Sequence, residues 1–242
     1  MTLFTSKKSR MWFFTILIIS FIASIIGAWI TGKNNIGSAI LSIIIISIPL
    51  LIEIFRGKDP IVYYGLDFNT LRSINLKLIF SWAVIIFSIV SIIDFFVFNL
   101  WHIISVNKEI AVGIVTLALA RSKYFYLGIV VIFSGTLQEE LWFRGIIQHK
   151  INNVRSLRFI NPHFGIFLQS IMFGLIHFLP IFFGTHFQFS LKLWFFIYPF
   201  SIAIIIGYLN NRFKSLWPGW LIHYTNNLLS LILFAIISRI KF

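Results

Sequence analysis

The chain has 242 residues, 59% of them apolar and 11% charged, with a mean hydropathy of +0.94. Water-soluble domains are close to half apolar and about a quarter charged, so an ordinary soluble enzyme is excluded and a single all-α, polytopic membrane domain over residues 1–242 is expected. The net charge of +13 belongs to cytoplasmic loops of such a chain rather than to a nucleic-acid partner, and the lack of cysteine excludes disulfides, thiol catalysis, cysteine–zinc sites and prenylation.

The N-terminal MTLFTSKKSR is basic and precedes MWFFTILIISFIASIIGAWI, residues 11–30. That apolar stretch is too long for a signal h-region and no small-residue cleavage site follows it, so it is expected to remain as the first span. Further helices are expected at 36–55, 78–100, 124–147, 165–184, 193–210 and 217–238. Each is near the ~20 residues needed to cross a bilayer. Between the second and third, RGKDPIVYYGLDFNTLRSINLK (56–77) breaks the periodicity with Pro, Gly, Asp and Asn. Its Leu66, Phe68, Leu71 and Ile74 are expected to lie on the bilayer surface. Residues 101–120 are interrupted by Asn107, Lys108 and Glu109, which leaves a short apolar run. That segment reads as interfacial or re-entrant and gives seven spans; used as a span it gives eight.

With seven spans and the N-terminus inside, the cytoplasmic side holds Lys7, Lys8, Arg10, Arg56, Lys58, Arg72, Lys77, Lys150, Arg155, Arg158, Arg212 and Lys214. The outside holds Lys33, Lys108, Arg121, Lys123, Lys192, Arg239 and Lys241, and Arg144 falls within a span. The bias places the N-terminus in the cytoplasm and, for seven spans, the C-terminus outside. Eight spans split the same charges equally well, so the count stays open.

An ionisable side chain within a span costs several kcal/mol and is a functional candidate by default. Those here are Asp94, Glu139, Glu140, Arg144, His177 and His223, accompanied by Asn226 and Asn227. Glu53 sits at a helix end and reads as interfacial. Within TLQEELWFRG, Glu140 and Arg144 are four apart and can pair on a helix. Glu139 is rotated about 100° from Glu140 and is less well neutralised, which suits a general base. A packing network at the helix end explains the same three residues equally well. In FLQSIMFGLIHFLP, Phe173 and His177 share a face with Gln169, and Pro180 ends or kinks the helix beyond. A lone histidine there reads first as a packing residue. In SLWPGWLIHYTNNLLS, Trp217 reads as an interfacial aromatic, Pro218 suits a first helical turn and Gly219 permits close approach. His223 and Asn227 share one face, while Asn226 points toward a neighbouring helix.

Together, these helices supply a glutamate, two histidines and an amide, a set able to activate water and hold an oxyanion. Glu139, His177 and His223 would also form an acceptable zinc ligand set with water in the fourth position, although no HExxH is present.

At these residues the chain resembles the CAAX-protease and bacteriocin-processing (CPBP, or Abi) family of intramembrane endopeptidases. The family's EExxxR stands as Glu139 to Arg144 with Gly145 following, its FxxxH as Phe173 to His177, and its HxxxN as His223 to Asn227. The resemblance covers a motif-bearing core of about 124–238. It implies a buried polar site between the fourth, fifth and seventh helices. There Glu139 would activate water with help from His177, His223 and Asn227 would stabilise the oxyanion, and Glu140 and Arg144 would shape the site. It favours a mechanism with no metal and no cofactor; if a metal served, Glu139, His177 and His223 would hold it.

The expectation is therefore an intramembrane endopeptidase acting on a peptide or membrane-protein substrate, with the lipid bilayer as its other partner. The Ile-, Phe-, Lys- and Asn-rich composition is that of an AT-rich bacterial genome. This favours a multi-pass protein of a bacterial cell membrane, in bacteriocin or pheromone processing or self-immunity. The rival reading is a non-catalytic immunity or regulatory scaffold of the same fold. A transporter is disfavoured because the chain lacks repeated halves.

Overall fold

The computed structural model describes residues 6–30, 36–102, 125–153, 163–184 and 189–237, and among them every element is a helix. In chain order these are α1 (Lys7–Ile30), α2 (Ile36–Phe55), α3 (Pro60–Tyr63), α4 (Phe68–Ser73) and α5 (Leu76–His102). Then α6 (Phe125–Glu140) continues through a π-helical segment, Leu141–Gln148, into α7 (His149–Asn152). The last three are α8 (Phe164–Gly184), α9 (Phe189–Phe213) and α10 (Trp217–Ile237). Residues 103–120, most of the segment expected to be interfacial, lie outside the described residues.

Hydrophobic spacing is inverted relative to a soluble fold. On α1, Met11, Phe14, Ile18, Phe21, Ile22 and Ile25 are exposed, whereas Ser9, Phe13, Ile16 and Ser20 are buried. On α5, Trp82, Ile85, Ile89 and Ile92 are exposed on the side away from buried Ile79, Ala83 and Ile86. Apolar stripes this long, at i, i+3, i+4 spacing, suit lipid rather than water. Of the described helices, Leu193–Phe213 is long and apolar enough to cross a membrane. Ile44–Phe55, Leu76–Val90 and Phe164–Leu179 are shorter apolar stretches.

The chain divides into two compact units: Met1–Tyr63, Asn75–Gln138 and Leu221–Phe242 in the first, and Tyr64–Ile74 with Glu139–Trp220 in the second. In the first unit α1 packs against α2 and both touch α3. Asp59 caps α3 by accepting from the Ile61 N–H at 3.0 Å, with Pro60 in the first turn where its missing N–H costs nothing. The Ser9 hydroxyl donates to the same carboxylate at 2.6 Å and so ties α1 to that cap. Glu53 departs from its expected interfacial position: it is 1% exposed, and the Arg56 guanidinium donates to its Oε1 at 3.0 Å. That hydrogen bond holds the Arg56 pKa above its ordinary value. Farther along the chain in the same unit, Ile132 of α6 and Leu231 of α10 form a core flanked by Phe125, Ile129 and Tyr224. The Phe133 and Tyr224 rings meet edge to face at 5.7 Å.

In the second unit α8 and α9 pack along their length, and the π-helical segment lies against both. Side-chain amides do much of the joining. Gln148 donates to the Gly207 carbonyl at 2.9 Å, and Gln169 to the Ala203 carbonyl at 3.0 Å, one turn earlier on α9. α8 runs through Pro180 to Gly184, the end expected for this helix. The 64–74 stretch also departs from expectation, because Leu66 and Ile74 are buried in protein rather than laid on a bilayer surface. Backbone pairing explains why: the Leu216 N–H donates to the Tyr64 carbonyl at 3.1 Å, and the Ser215 hydroxyl to the Gly65 carbonyl at 2.7 Å. Trp217, expected at an interface, is likewise buried, with its indole N–H donating to the Asp67 carbonyl at 3.3 Å.

Candidate active site

The two adjacent glutamates close α6 and open the π-helical segment that carries Arg144. π-Helical hydrogen bonds reach one residue farther than α-helical ones, which widens the turn, and such segments concentrate at functional sites. The four-residue spacing of Glu140 and Arg144 carries no sign of this widening. The Glu140–Arg144 pair expected from that spacing nevertheless forms, with Oε1 3.1 Å from Nη1 and both side chains fully buried. The approach is close, yet the Arg144 N–H groups are not aligned as hydrogen bonds. It is an ion contact. The other Glu140 oxygen accepts from Asn210 Nδ2 at 3.2 Å. Both glutamates attract the guanidinium, Glu140 more strongly. Glu139 is only partly buried as a residue, although its Oε2 is buried as well.

Gly145, next after Arg144, is a position where backbone approach decides the residue. A Cβ there would stand 2.9 Å from Cε1 and 3.1 Å from Cδ1 of the Tyr64 ring. Glycine leaves the room that the ring occupies.

Phe173 links the first motif to the second. The Arg144 guanidinium carbon lies 4.5 Å from the centroid of its ring, within cation–π range. Phe143 meets the same ring edge-on at 5.1 Å, and the His177 imidazole lies 4.6 Å away on the next turn of α8. His177 Nδ1 is 2.8 Å from the Phe173 carbonyl. A carbonyl oxygen only accepts, so this bond puts a ring proton on Nδ1, which leaves Nε2 as the acceptor of the corresponding neutral tautomer. Gln169, placed on the same face by its spacing, is fully buried and directs its amide to Ala203 and Ser170. Its role is to pack α8 against α9.

The third motif lies on α10. His223 and Asn226 are buried, and Asn227 is partly buried. The Asn226 carbonyl accepts from the Ser230 hydroxyl at 3.0 Å. In the first turn of the helix, the Gly219 N–H donates to Asn210 Oδ1 at 2.7 Å. The Asp94 side chain lies outside those described. Among the described residues, no group of three or more His, Asp or Glu side chains is arranged to hold a metal ion.

Sequence reasoning missed Asn210, Gln148 and Tyr64. Asn210 falls where an apolar run ends in YLNNRF, and an asparagine at a helix end carries no signal of burial. Tyr64 sits in a segment read as surface, and only contact with Gly145 reveals its part.

Residues 121–229 match the family model described as type II CAAX prenyl endopeptidase Rce1-like, and this part of the chain is similar to that family. All three motifs fall inside the matched region. No curated protein and no solved structure matches the chain.

Proposed function

With that family as premise, we propose that the chain is a multi-pass intramembrane endopeptidase that hydrolyses a peptide bond with glutamate-activated water. The observation that carries the reading is the packed sequence Glu140–Arg144–Phe173–His177, which joins two family motifs and leaves His177 Nε2 as an acceptor. Glu139, the less buried carboxylate, removes a proton from water whose other hydrogen bond goes to His177 Nε2. The hydroxide adds to the scissile carbonyl carbon, and its π electrons move to the oxygen. Side-chain N–H groups of His223 and Asn227 hold that oxyanion. As it collapses the C–N bond breaks, and Glu139 returns its proton to the leaving amine.

The substrate we propose is a peptide or membrane-associated protein in bacterial bacteriocin or pheromone processing or self-immunity. Seven spans with a cytoplasmic N-terminus fit the basic residues around Lys7 and between 56 and 77. No resident metal is required by this mechanism.

Glu139→Gln tests the reading, since it keeps size and polarity but removes the base. At matched amounts of folded protein it should abolish cleavage, as should His177→Ala and His223→Ala. Asn227→Ala should lower the rate on the order of 10²–10³, the usual loss for one oxyanion donor. A Glu139→Gln protein that keeps the biological phenotype at normal expression would replace the protease with a non-catalytic scaffold.

A further inference from the structure

We propose that Asn210 is a positioning residue of the site, through which the buried Glu140 carboxylate fixes the first turn of α10. The inference rests on the endopeptidase reading above. Asn210 lies near the C-terminal end of α9 and is buried. Its two amide atoms face different helices. Nδ2 donates to Glu140 Oε2 at 3.2 Å, and Oδ1 accepts from the Gly219 N–H at 2.7 Å. Of the uncharged side chains of this length, only a carboxamide offers a donor and an acceptor on one rigid plane.

Each bond answers a local requirement. Glu140 has one oxygen against Arg144, and its second needs a donor in a fully buried place. Gly219 lies in the first turn of α10, where backbone N–H groups have no partner within their own helix. Asn210 therefore caps α10 from another helix. The fit is close, because a Cβ on Gly219 would stand 2.5 Å from both Nδ2 and Oδ1 of Asn210. The turn between the helices is held as well: the Ser215 N–H donates to the Asn210 carbonyl at 3.2 Å, and the Trp217 N–H to the Ser215 hydroxyl at 3.1 Å.

His223 follows Gly219 by one helical turn and Asn227 by two, so the pitch and rotation of α10 at its start set where both side chains point. The neighbour of the proposed base is thus tied, through Asn210, to the first turn of the helix that bears the proposed oxyanion donors. This gives Glu140 a task besides pairing with Arg144, and gives Asn210 one that no motif records.

Three variants of the full chain in detergent micelles test the proposal, with a mixture of internally quenched fluorogenic peptides as the probe. Asn210→Asp keeps the acceptor for Gly219 but sets a carboxylate against Glu140. Its kcat should fall about 10²-fold with KM within a factor of two, the scale expected when reacting groups shift by ~1 Å. Adding Glu140→Gln reverses donor and acceptor along the same line, since the new amide donates to the new carboxylate. The double variant should recover at least tenfold over Asn210→Asp. Asn210→Ala should speed amide exchange in the Trp217–His223 segment at least tenfold.

Asn210→Asp with kcat within threefold of wild type, or a double variant no faster than Asn210→Asp, would overturn the proposal. If wild type cleaves no faster than Glu139→Gln, the endopeptidase reading fails instead. The tether is then judged by exchange alone, where an unchanged rate in Asn210→Ala rejects it and a tenfold rise supports it.

Discussion

Arg144→Ala should destabilise the protein by stranding a carboxylate. Glu140 is fully buried, with Oε1 3.1 Å from the guanidinium and Oε2 accepting from the Asn210 amide. Removing one member of such a pair leaves an uncompensated charge and costs about 3–5 kcal/mol. Loss of the guanidinium from above Phe173 at 4.5 Å adds about 1 kcal/mol. For a chain of this size each kcal/mol moves the midpoint by about 2–4 °C, so the ion-pair loss alone predicts a fall of about 6–20 °C. Thermal unfolding of the full chain in detergent, followed by tryptophan fluorescence, measures it. A second change, Glu140→Gln, isolates the cause: with both charges gone the cost of the buried carboxylate disappears, although the stacking loss stays. The double variant should regain at least half of the lost stability. Arg144→Lys should fall between wild type and Arg144→Ala, because lysine keeps the charge but not the planar surface over Phe173. A midpoint shift under 2 °C in Arg144→Ala, or a double variant as unstable as the single, would refute the stranded-charge argument.

Gly145→Ala should cost about 1–3 kcal/mol, since its Cβ would press within 2.9 Å of the Tyr64 ring, and Tyr64→Leu should return most of that loss. A Gly145→Ala protein as stable as wild type would show that the ring does not lie there. Cleavage should survive EDTA and phenanthroline; loss restored by zinc would move Glu139, His177 and His223 into ligand roles. A reporter fused at Phe242 should read extracytoplasmic, and a cytoplasmic reading would remove the seven-span count in favour of eight.

Helices are the most legible part of the sequence because apolar length and breakers are one-dimensional signals. The segments expected at 36–55, 165–184 and 217–238 appear as Ile36–Phe55, Phe164–Gly184 and Trp217–Ile237. The Glu140–Arg144 pair is legible from spacing alone, since four residues separate its members. What failed depends on packing across the chain. The 64–74 stretch looked amphipathic and loose, yet its carbonyls accept from the turn at 215–216, about 150 residues away. Glu53 looked interfacial because it ends an apolar run, and only the fold encloses it. The π-helical widening after Glu140 leaves no mark that periodicity could detect, because both the α and the π register keep Arg144 within reach of Glu140.

In lipid, apolar burial supplies little drive for helices to associate, so polar contacts and close backbone approach must supply it. This bears on why a protease motif contains two carboxylates. Glu140 is enclosed by Arg144 and Asn210, as are the Gln148 and Gln169 amides by the backbone of α9. Such a residue contributes to assembly. Glu139, one residue earlier, keeps partial exposure and a weaker attraction to the same arginine. A base needs both a route to water and a charge that is not fully neutralised, and the proposed mechanism assigns that part to Glu139. Adjacent positions on a helix point about 100° apart, so one turn of backbone can serve both ends. On the proposed mechanism the doubled glutamate therefore divides two tasks in one segment: Glu140 holds helices together, and Glu139 transfers the proton.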